Sequence, residues 1–442
     1  MPSTSTALLT DHYELTMLQA ALASGAAQRR CVFEVFARRL PEGRRYGVVG
    51  GTGRLLDAVE AFRFDAPVLD DLADRRVVDE ATLDFLSTYR FTGSVHGYAE
   101  GECYFPGSPL LVVEGSFAEA VVLETIVLSI LNHDSAIASA ASRMTSAAGD
   151  RPCIEMGSRR THEWAAVAAA RAAYVAGFAS TSNLEAGRRY GVPTGGTSAH
   201  AFTLLHDDER EAFTAQVASL GAGTTLLVDT YDVAEAVRVG VEVAGPGLGA
   251  VRLDSGDLLA QAIAVRQQLD ELGNRDTHII VTSDLDEHAI AALAAAPVDG
   301  YGVGTNLVTG SGAPTAGLVY KLVAREGRDG ELVGVAKRSK DKLSIAGRKW
   351  ALRRRGRDGV AQAEVIGIGH VPRDVPRERE VPPGSGRSLL VDLVRDGEVV
   401  GRESLDEARR RHTSSLAELP LSATQLSRGE PAIPTVYEQE DP

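Results

Sequence analysis

TTLLVDT (224–230), GAVRLDSGD (249–257), HIIVTSDL (278–285) and DGYGVGTNL (299–307) are the stretches that decide how this chain folds. Each is a short apolar run, and the first three lead into alanine-rich segments of helical spacing at 233–243, 258–272 and 286–296. Strand-length runs alternating with helices are the pattern of successive parallel βα units. Polar residues follow the runs directly: Asp229, Asp254, Ser283 with Asp284, and Thr305 with Asn306. In a (β/α) barrel the C-terminal strand ends converge on one mouth, where residues so placed meet around a single ligand. Helix capping explains any one of them. It explains a repeated set less well.

Outward from this core, the βα pattern extends from about Arg151 to about Ala324. Upstream, the spacing from Leu8 to Ala27 is helical, with Thr10 and Glu14 placed as a capped start, and CVFEVFARRL (31–40) reads as a strand. PEGRRYGVVGGTG (41–53) is turn-rich but lacks a GxGxxG after a strand, so a loop is expected there and not a dinucleotide site. Two helical patterns lie between Asp57 and Tyr89, and the alternation in 94–116 predicts a small antiparallel sheet. Ala118–Ala148 reads as a long helix, broken or bent near Asn132–Asp134. After Lys342 a second α+β section is expected, with a charged, proline-rich loop at 372–388 and an extended tail.

The chain has 442 residues, 44% of them hydrophobic and 24% charged, the balance of a soluble enzyme of two or three domains. A formal charge of −14 disfavours a general nucleic-acid or anionic-membrane surface. Phosphate binding must then be local. All five lysines, Lys321, Lys337, Lys340, Lys342 and Lys349, fall in one stretch, either as a solvated hairpin or as an anion pocket. Cys31, Cys103 and Cys153 are far apart and odd in number, which suggests neither a zinc site nor a disulfide framework and fits a reducing, cytoplasmic setting. The most apolar stretch, Ala120–Leu131, is too short to span a bilayer and contains Glu124.

Four segments carry candidate chemistry. In VRLDSGDLL (251–259), Arg252 offers a planar fork to a carboxylate or phosphate and Asp254 an anionic group to ribose or a metal; a plain Arg–Asp salt bridge is the alternative. EMGSRRTHEW (155–164) sets Arg159 and Arg160 beside a glycine turn ahead of a helix, an arrangement suited to phosphate. The glycine-rich turn 302–312 offers free backbone N–H groups to a phosphate monoester but is no Walker A loop. His200 follows a Gly-Gly-Thr turn, and residue type alone leaves open whether it is structural, an acid–base group or a phosphoryl acceptor.

TDHYELTM (10–17), EMGSRR (155–160), STSNLEAGRRYGVPTGGTSAHAF (180–202), VRLDSGD (251–257), TSDLDE (282–287) and YGVGTNL (301–307) together resemble nicotinate phosphoribosyltransferases, in order from near residue 8 to about 350. The resemblance implies an α/β fold: an irregular TIM-like (β/α) barrel plus an α+β sandwich domain built from N- and C-terminal segments. It implies boundaries at 1–117, 118–148 (connecting helices), 149–335 and 336–442, and a homodimer with shared active sites. It places Tyr13 on the pyridine ring across the dimer, Arg252 at the nicotinate carboxylate, and Arg159 on phosphate or base. Asp254 and Asp284, beside Ser283, lie near ribose and magnesium; Gly302, Gly304 and Thr305 take the 5′-phosphate; His200 is the phosphorylated histidine.

The related nicotinamide enzyme has an aspartate near the base, whereas Thr181, Ser182 and Asn183 align there. Nicotinate, an anion, is better served by hydroxyl and amide donors plus Arg252. The expected reaction therefore joins nicotinate to phosphoribosyl pyrophosphate (PRPP), with Mg²⁺ on the pyrophosphate and ATP as co-substrate through His200, in NAD salvage. The rivals are nicotinamide or quinolinate phosphoribosyl transfer, and a non-catalytic phosphoribosyl or nucleotide sensor on the same fold.

Overall fold

The computed structural model describes residues 5–337, 344–369 and 386–438. The chain divides into two compact units, Met1–Ser139 with Thr315–Pro442, and Ala140–Pro314.

The first unit is built on a seven-stranded antiparallel sheet, in the order Leu332–Gly334, Leu318–Glu326, Arg30–Ala37, Leu111–Ser116, Ser94–Tyr98, Leu390–Arg395, Glu398–Val399. The inner strand Arg30–Ala37 is buried along nearly its whole length. Phe33 and Val35 join an apolar core with Leu15, Leu18, Val121 and Ile126 from helices, and Phe33 stacks on Tyr320 at 4.9 Å. Glu34, pointing the other way, is reached by Lys349 Nζ at 2.8 Å from a second, four-stranded sheet.

That second sheet holds a denser charge network. Arg353, fully buried, donates to Glu364 Oε2 and to the Cys103 carbonyl, each at 2.7 Å, while Arg387 bridges Glu102 and Glu418. Buried ions persist only when paired and hydrogen-bonded on all sides.

The second unit is an open half-barrel of six parallel strands, in the order Ser180–Thr181, Cys153–Glu155, Gly300–Val303, His278–Ser283, Ala250–Leu253, Thr225–Leu227. The last strand of this unit in chain order pairs with its first, Tyr301 opposite Cys153. The two edge strands, Ser180–Thr181 and Thr225–Leu227, are consecutive in the chain yet stand at opposite ends of the sheet. Helices Leu184–Tyr190, His200–Leu205 and Glu209–Leu220 occupy the interval between them in sequence.

Several expectations change. Leu318–Glu326 is not a further βα unit; it pairs antiparallel with Arg30–Ala37, so the parallel unit closes at Pro314, short of the 335 expected. Segment 94–116 does pair antiparallel, Ser94–Tyr98 with Leu111–Ser116, but as inner strands of the seven-stranded sheet and not as a small sheet of its own. Helix Glu124–Ala148 runs unbroken through Asn132–Asp134, and the interruption falls at residues 122–123. The polar trio does not break the helix because its side chains find tertiary partners: Asn132 bonds both backbone groups of Leu318, and Asp134 receives Arg54 and His133. The lysines do not share one anion pocket: Lys349 is paired with Glu34, Lys321 faces Glu124 at 3.7 Å, and Lys337 is exposed. Lys340 and Lys342, and most of the 372–388 loop, lie outside the described residues. In the tail, Thr435–Glu438 adds a parallel strand to Ala361–Ile368. Among the described residues no helix is long and apolar enough to cross a membrane.

Removing one partner of a buried pair strands the others in a low-dielectric site. Arg353→Ala should therefore cost about 3–5 kcal/mol, read as a clear drop in Tm by calorimetry.

Candidate functional site

All strands of the half-barrel run the same way, so their C-terminal ends deliver side chains to one rim. Asp229 ends the run after Thr225–Leu227, Asp254 follows Ala250–Leu253, and Thr282 and Ser283 close His278–Ser283. These ends are bonded to one another. Asp229 Oδ2 accepts the Asp254 N–H at 3.0 Å and the Ser255 hydroxyl at 2.7 Å, and the Thr282 hydroxyl donates to Asp254 Oδ1. Asp229 Oδ1 is buried and takes no hydrogen bond from the described residues.

His200 opens helix His200–Leu205. Its Nδ1 lies 3.1 Å from the Thr230 hydroxyl, and its Nε2 is 3.9 Å from both Asp229 Oδ1 and Asp254 Oδ2. With Nδ1–H donating to Thr230, Nε2 keeps its lone pair toward the mouth.

Arg252, on the strand before Asp254, donates from Nη1 to the Thr197 hydroxyl at 3.0 Å and from Nη2 to the Ser198 carbonyl at 3.1 Å. Its fork thus clasps the turn that leads into His200. Its buried Nε has no partner among the described residues. Burial pulls the Arg252 guanidinium below its ordinary range, Asp254 and Asp229 oppose that pull, and the charge of Arg159 adds to it. Arg159 itself is exposed, on the turn after Cys153–Glu155.

On the other side of the rim, Glu155 is buried and accepts the Thr181 hydroxyl and the Gly157 N–H; burial pushes its carboxyl up. Thr181 is fully buried, and its hydroxyl is spent on Glu155 and on receiving the Asn183 N–H. Ser182 is exposed, and Asn183 caps helix Leu184–Tyr190 while donating to the Ser158 hydroxyl at 3.0 Å. Gly302 has to be glycine: a Cβ there would sit 2.4 Å from Thr282 Cγ2 and 2.8 Å from Met156 Sδ. Gly304 and Thr305 follow at the start of helix Thr305–Val308, and Asp284 is exposed after Ser283.

The structure therefore gathers His200, Arg252, Asp254 and Ser283–Asp284 with Gly302–Thr305 on the rim of one unit. Tyr13 belongs to the first unit, partly exposed on helix His12–Ala23, where burial and the charge of Glu124 push its phenol up to about 12. Sequence reasoning left out of the site several residues that the fold puts to use: Asp229, Thr230, Thr197, Thr282, Glu155 and Glu209. Asp229 carried a signal, its place directly after an apolar run; Glu155 and Glu209 carried none, since only tertiary burial singles them out.

This parallel half-barrel, with carboxylates, a histidine and arginines at its strand ends, defines an α/β protein equipped to handle anionic, phosphorylated ligands. Comparison with known proteins narrows the class. The nicotinate phosphoribosyltransferase (NAPRTase) N-terminal domain matches residues 8–132. A nicotinate phosphoribosyltransferase of Mycobacterium tuberculosis is 58% identical over 436 residues, covering 97% of this chain and 94% of that protein. One from Bacillus subtilis is 39% identical, covering 79% and 73%. Among solved structures, human nicotinic acid phosphoribosyltransferase superposes with a TM-score of 0.81 at 27% identity over 98% of each chain. The chain belongs to the nicotinate phosphoribosyltransferase family.

Glu209 lies behind the rim, buried, with Oε1 unpartnered among the described residues. Burial pushes its carboxyl up from 4.5 to about 7, and the charges of Glu235, Asp232 and Asp229 add to the rise. A carboxyl raised by folding favours the fold while protonated, and that contribution is lost as pH climbs through the folded value. Glu209→Gln should thus melt higher than wild type at pH 8, with the difference vanishing at pH 4.5, measured by thermal unfolding at the two pH values.

Proposed function

We propose that the protein transfers the phosphoribosyl group of PRPP to the ring nitrogen of nicotinate, releasing pyrophosphate, and couples the step to ATP hydrolysis through His200. The carrying observation is the meeting of His200, Asp229, Asp254 and Arg252 at the strand ends of a chain 58% identical to a nicotinate phosphoribosyltransferase.

The pyridine nitrogen holds a free lone pair at neutral pH, so the transfer needs no general base. The site must orient two anions, stabilise positive charge at the ribosyl carbon and accommodate a departing pyrophosphate. Asp254, its backbone N–H pinned to Asp229, offers a fixed negative charge to the ribosyl centre or its hydroxyls. Asp284 lies toward the ribose and its magnesium, and the glycine turn at 302–305 faces the sugar phosphate, whose oxygens suit backbone N–H groups.

Arg252 meets the nicotinate carboxylate, with Arg159 contributing charge to the same mouth. The nearby Thr181–Asn183 segment carries no carboxylate, and Glu155 behind it is buried and hydrogen-bonded. This arrangement favours nicotinate over nicotinamide.

His200 is the phosphoryl acceptor. Nε2 attacks the γ-phosphorus of ATP, the bond to the bridging oxygen breaks, and ADP leaves; water later returns the imidazole and releases phosphate. Two carboxylates 3.9 Å from Nε2 would repel a bare polyphosphate, so a cation must accompany it. Mg²⁺ fits that need. Asp229, Asp254 and Asp284 would meet it, and it would offset the charge of the polyphosphates.

The same reading takes the half-barrel as an incomplete TIM-like barrel and the two sheets of the first unit as a sandwich. It makes the working form a cytoplasmic homodimer, Tyr13 of one copy stacking on the base held by the other, in NAD salvage.

His200→Ala should lose all stimulation by ATP while retaining slow transfer from PRPP, assayed as nicotinate mononucleotide formed with and without ATP. Unchanged coupling in the folded variant would refute the role. Arg252→Ala should raise the KM for nicotinate by about 10–100-fold, the loss of a charge-assisted pair. The rise for PRPP should be smaller, and nicotinamide and quinolinate should compete poorly with nicotinate in a three-base assay.

A further inference from the structure

Ser283 is a non-glycine residue with φ of 145°, at the end of a strand and exposed. Side chains rarely adopt this backbone region, and such a conformation lasts only where neighbours enforce it. An exposed serine has no core packing to enforce it. The enforcement comes from hydrogen bonds on the residues that follow.

The Leu285 N–H closes a tight turn on the Ser283 carbonyl at 2.8 Å. Asn306 Nδ2, from the short helix Thr305–Val308 after the neighbouring strand Gly300–Val303, donates to the carbonyls of Asp284 at 3.3 Å and Leu285 at 3.2 Å. Asn306 is itself anchored, its carbonyl receiving the Ser311 N–H at 2.6 Å. The Ser311 hydroxyl donates to Glu287 Oε2 at 2.5 Å, and Glu287 Oε1 receives Arg143 Nε at 2.9 Å. Arg143 and Glu287 are both buried. The path closes on itself: Glu287 lies two residues past Leu285, so the loops after His278–Ser283 and Gly300–Val303 form one hydrogen-bonded ring staked to a buried ion pair.

We propose that Ser311 and Glu287 are positioning residues, which hold the strained Ser283–Leu285 turn and so set the grip on the phosphorylated substrate, PRPP. This rests on the functional reading above, since Asp284 and the glycine turn 302–305 stand on the two loops the ring joins. Ser311 and Glu287 act through Asn306 and the turn. Nicotinate, held from Arg252 on the strand beside His278–Ser283 and from neither loop of the ring, is expected to sense it much less.

Ser311→Ala is the mild test, because it removes one hydroxyl and leaves the Arg143–Glu287 pair in place. It should raise the KM for PRPP by about tenfold, the worth of one charge-assisted hydrogen bond, and leave that for nicotinate nearly unchanged. Because glycine adopts the Ser283 conformation without strain, Ser311→Ala should do less harm in a Ser283→Gly background than in the wild type. A merely structural role for Ser311 predicts no such coupling. Without any substrate, the Leu285 amide should exchange its hydrogen faster in Ser311→Ala than in wild type. Equal effects in the two backgrounds, or an unchanged Leu285 exchange rate, would overturn the proposal. A wild-type protein that does not turn over PRPP and nicotinate would retire the functional reading alone, and the exchange comparison would still decide this one.

Discussion

The row of hydrogen bonds between Gly300–Val303 and Cys153–Glu155 joins the last parallel strand of the second unit to the first. Parallel pairing fixes direction, so every strand in the row ends on the same side. Without that junction the ends carrying Arg159 and Glu155 would have no fixed relation to those carrying Asp284 and Gly304. The tight packing at Gly302, where no Cβ fits between Thr282 and Met156, shows how closely the ends are drawn together. Positions about 150 residues apart in sequence thereby become neighbours, and the loops above them inherit the spacing.

Charge is handled locally throughout. A chain with a net charge of −14 binds anions only where cations and N–H groups are concentrated. Arginine is the concentrated cation here, and Arg252 is held by its fork against the turn before His200. Elsewhere the same residue type is used to bury charge, as in the Arg353, Glu364, Glu102 and Arg387 network of the first unit. The lysines that the sequence clusters are drawn partly into that second use, Lys349 most plainly.

The parallel unit was legible because its strands are short apolar runs with polar residues directly after them, and a period of that kind survives without any knowledge of contacts. Asp254, Asp284 and the 302–305 turn were readable for the same reason. What sequence could not disclose was the sheet to which a strand belongs. Leu318–Glu326 has the look of another βα strand and instead pairs with Arg30–Ala37, nearly 300 residues earlier. Asn132–Asp134 resembled a helix break because polar triplets usually are one; distant partners at Leu318 and Arg54 reverse the sign. Thr181 shows the same limit at the site, a hydroxyl that reads as a substrate donor and is already engaged by Glu155.

An unclosed sheet exposes two rows of unpaired backbone groups, and such rows are where foreign chains add themselves. Here Thr181 on one border is taken up by the segment that follows it, its N–H donating to the Pro193 carbonyl and its carbonyl receiving the Gly195 N–H, and the other border, Thr225–Leu227, is three residues long. Ladders so brief offer an intruding strand almost nothing to hold. The open sheet is therefore kept from becoming a nucleus for fibrous self-association, by cover on one border and by brevity on the other.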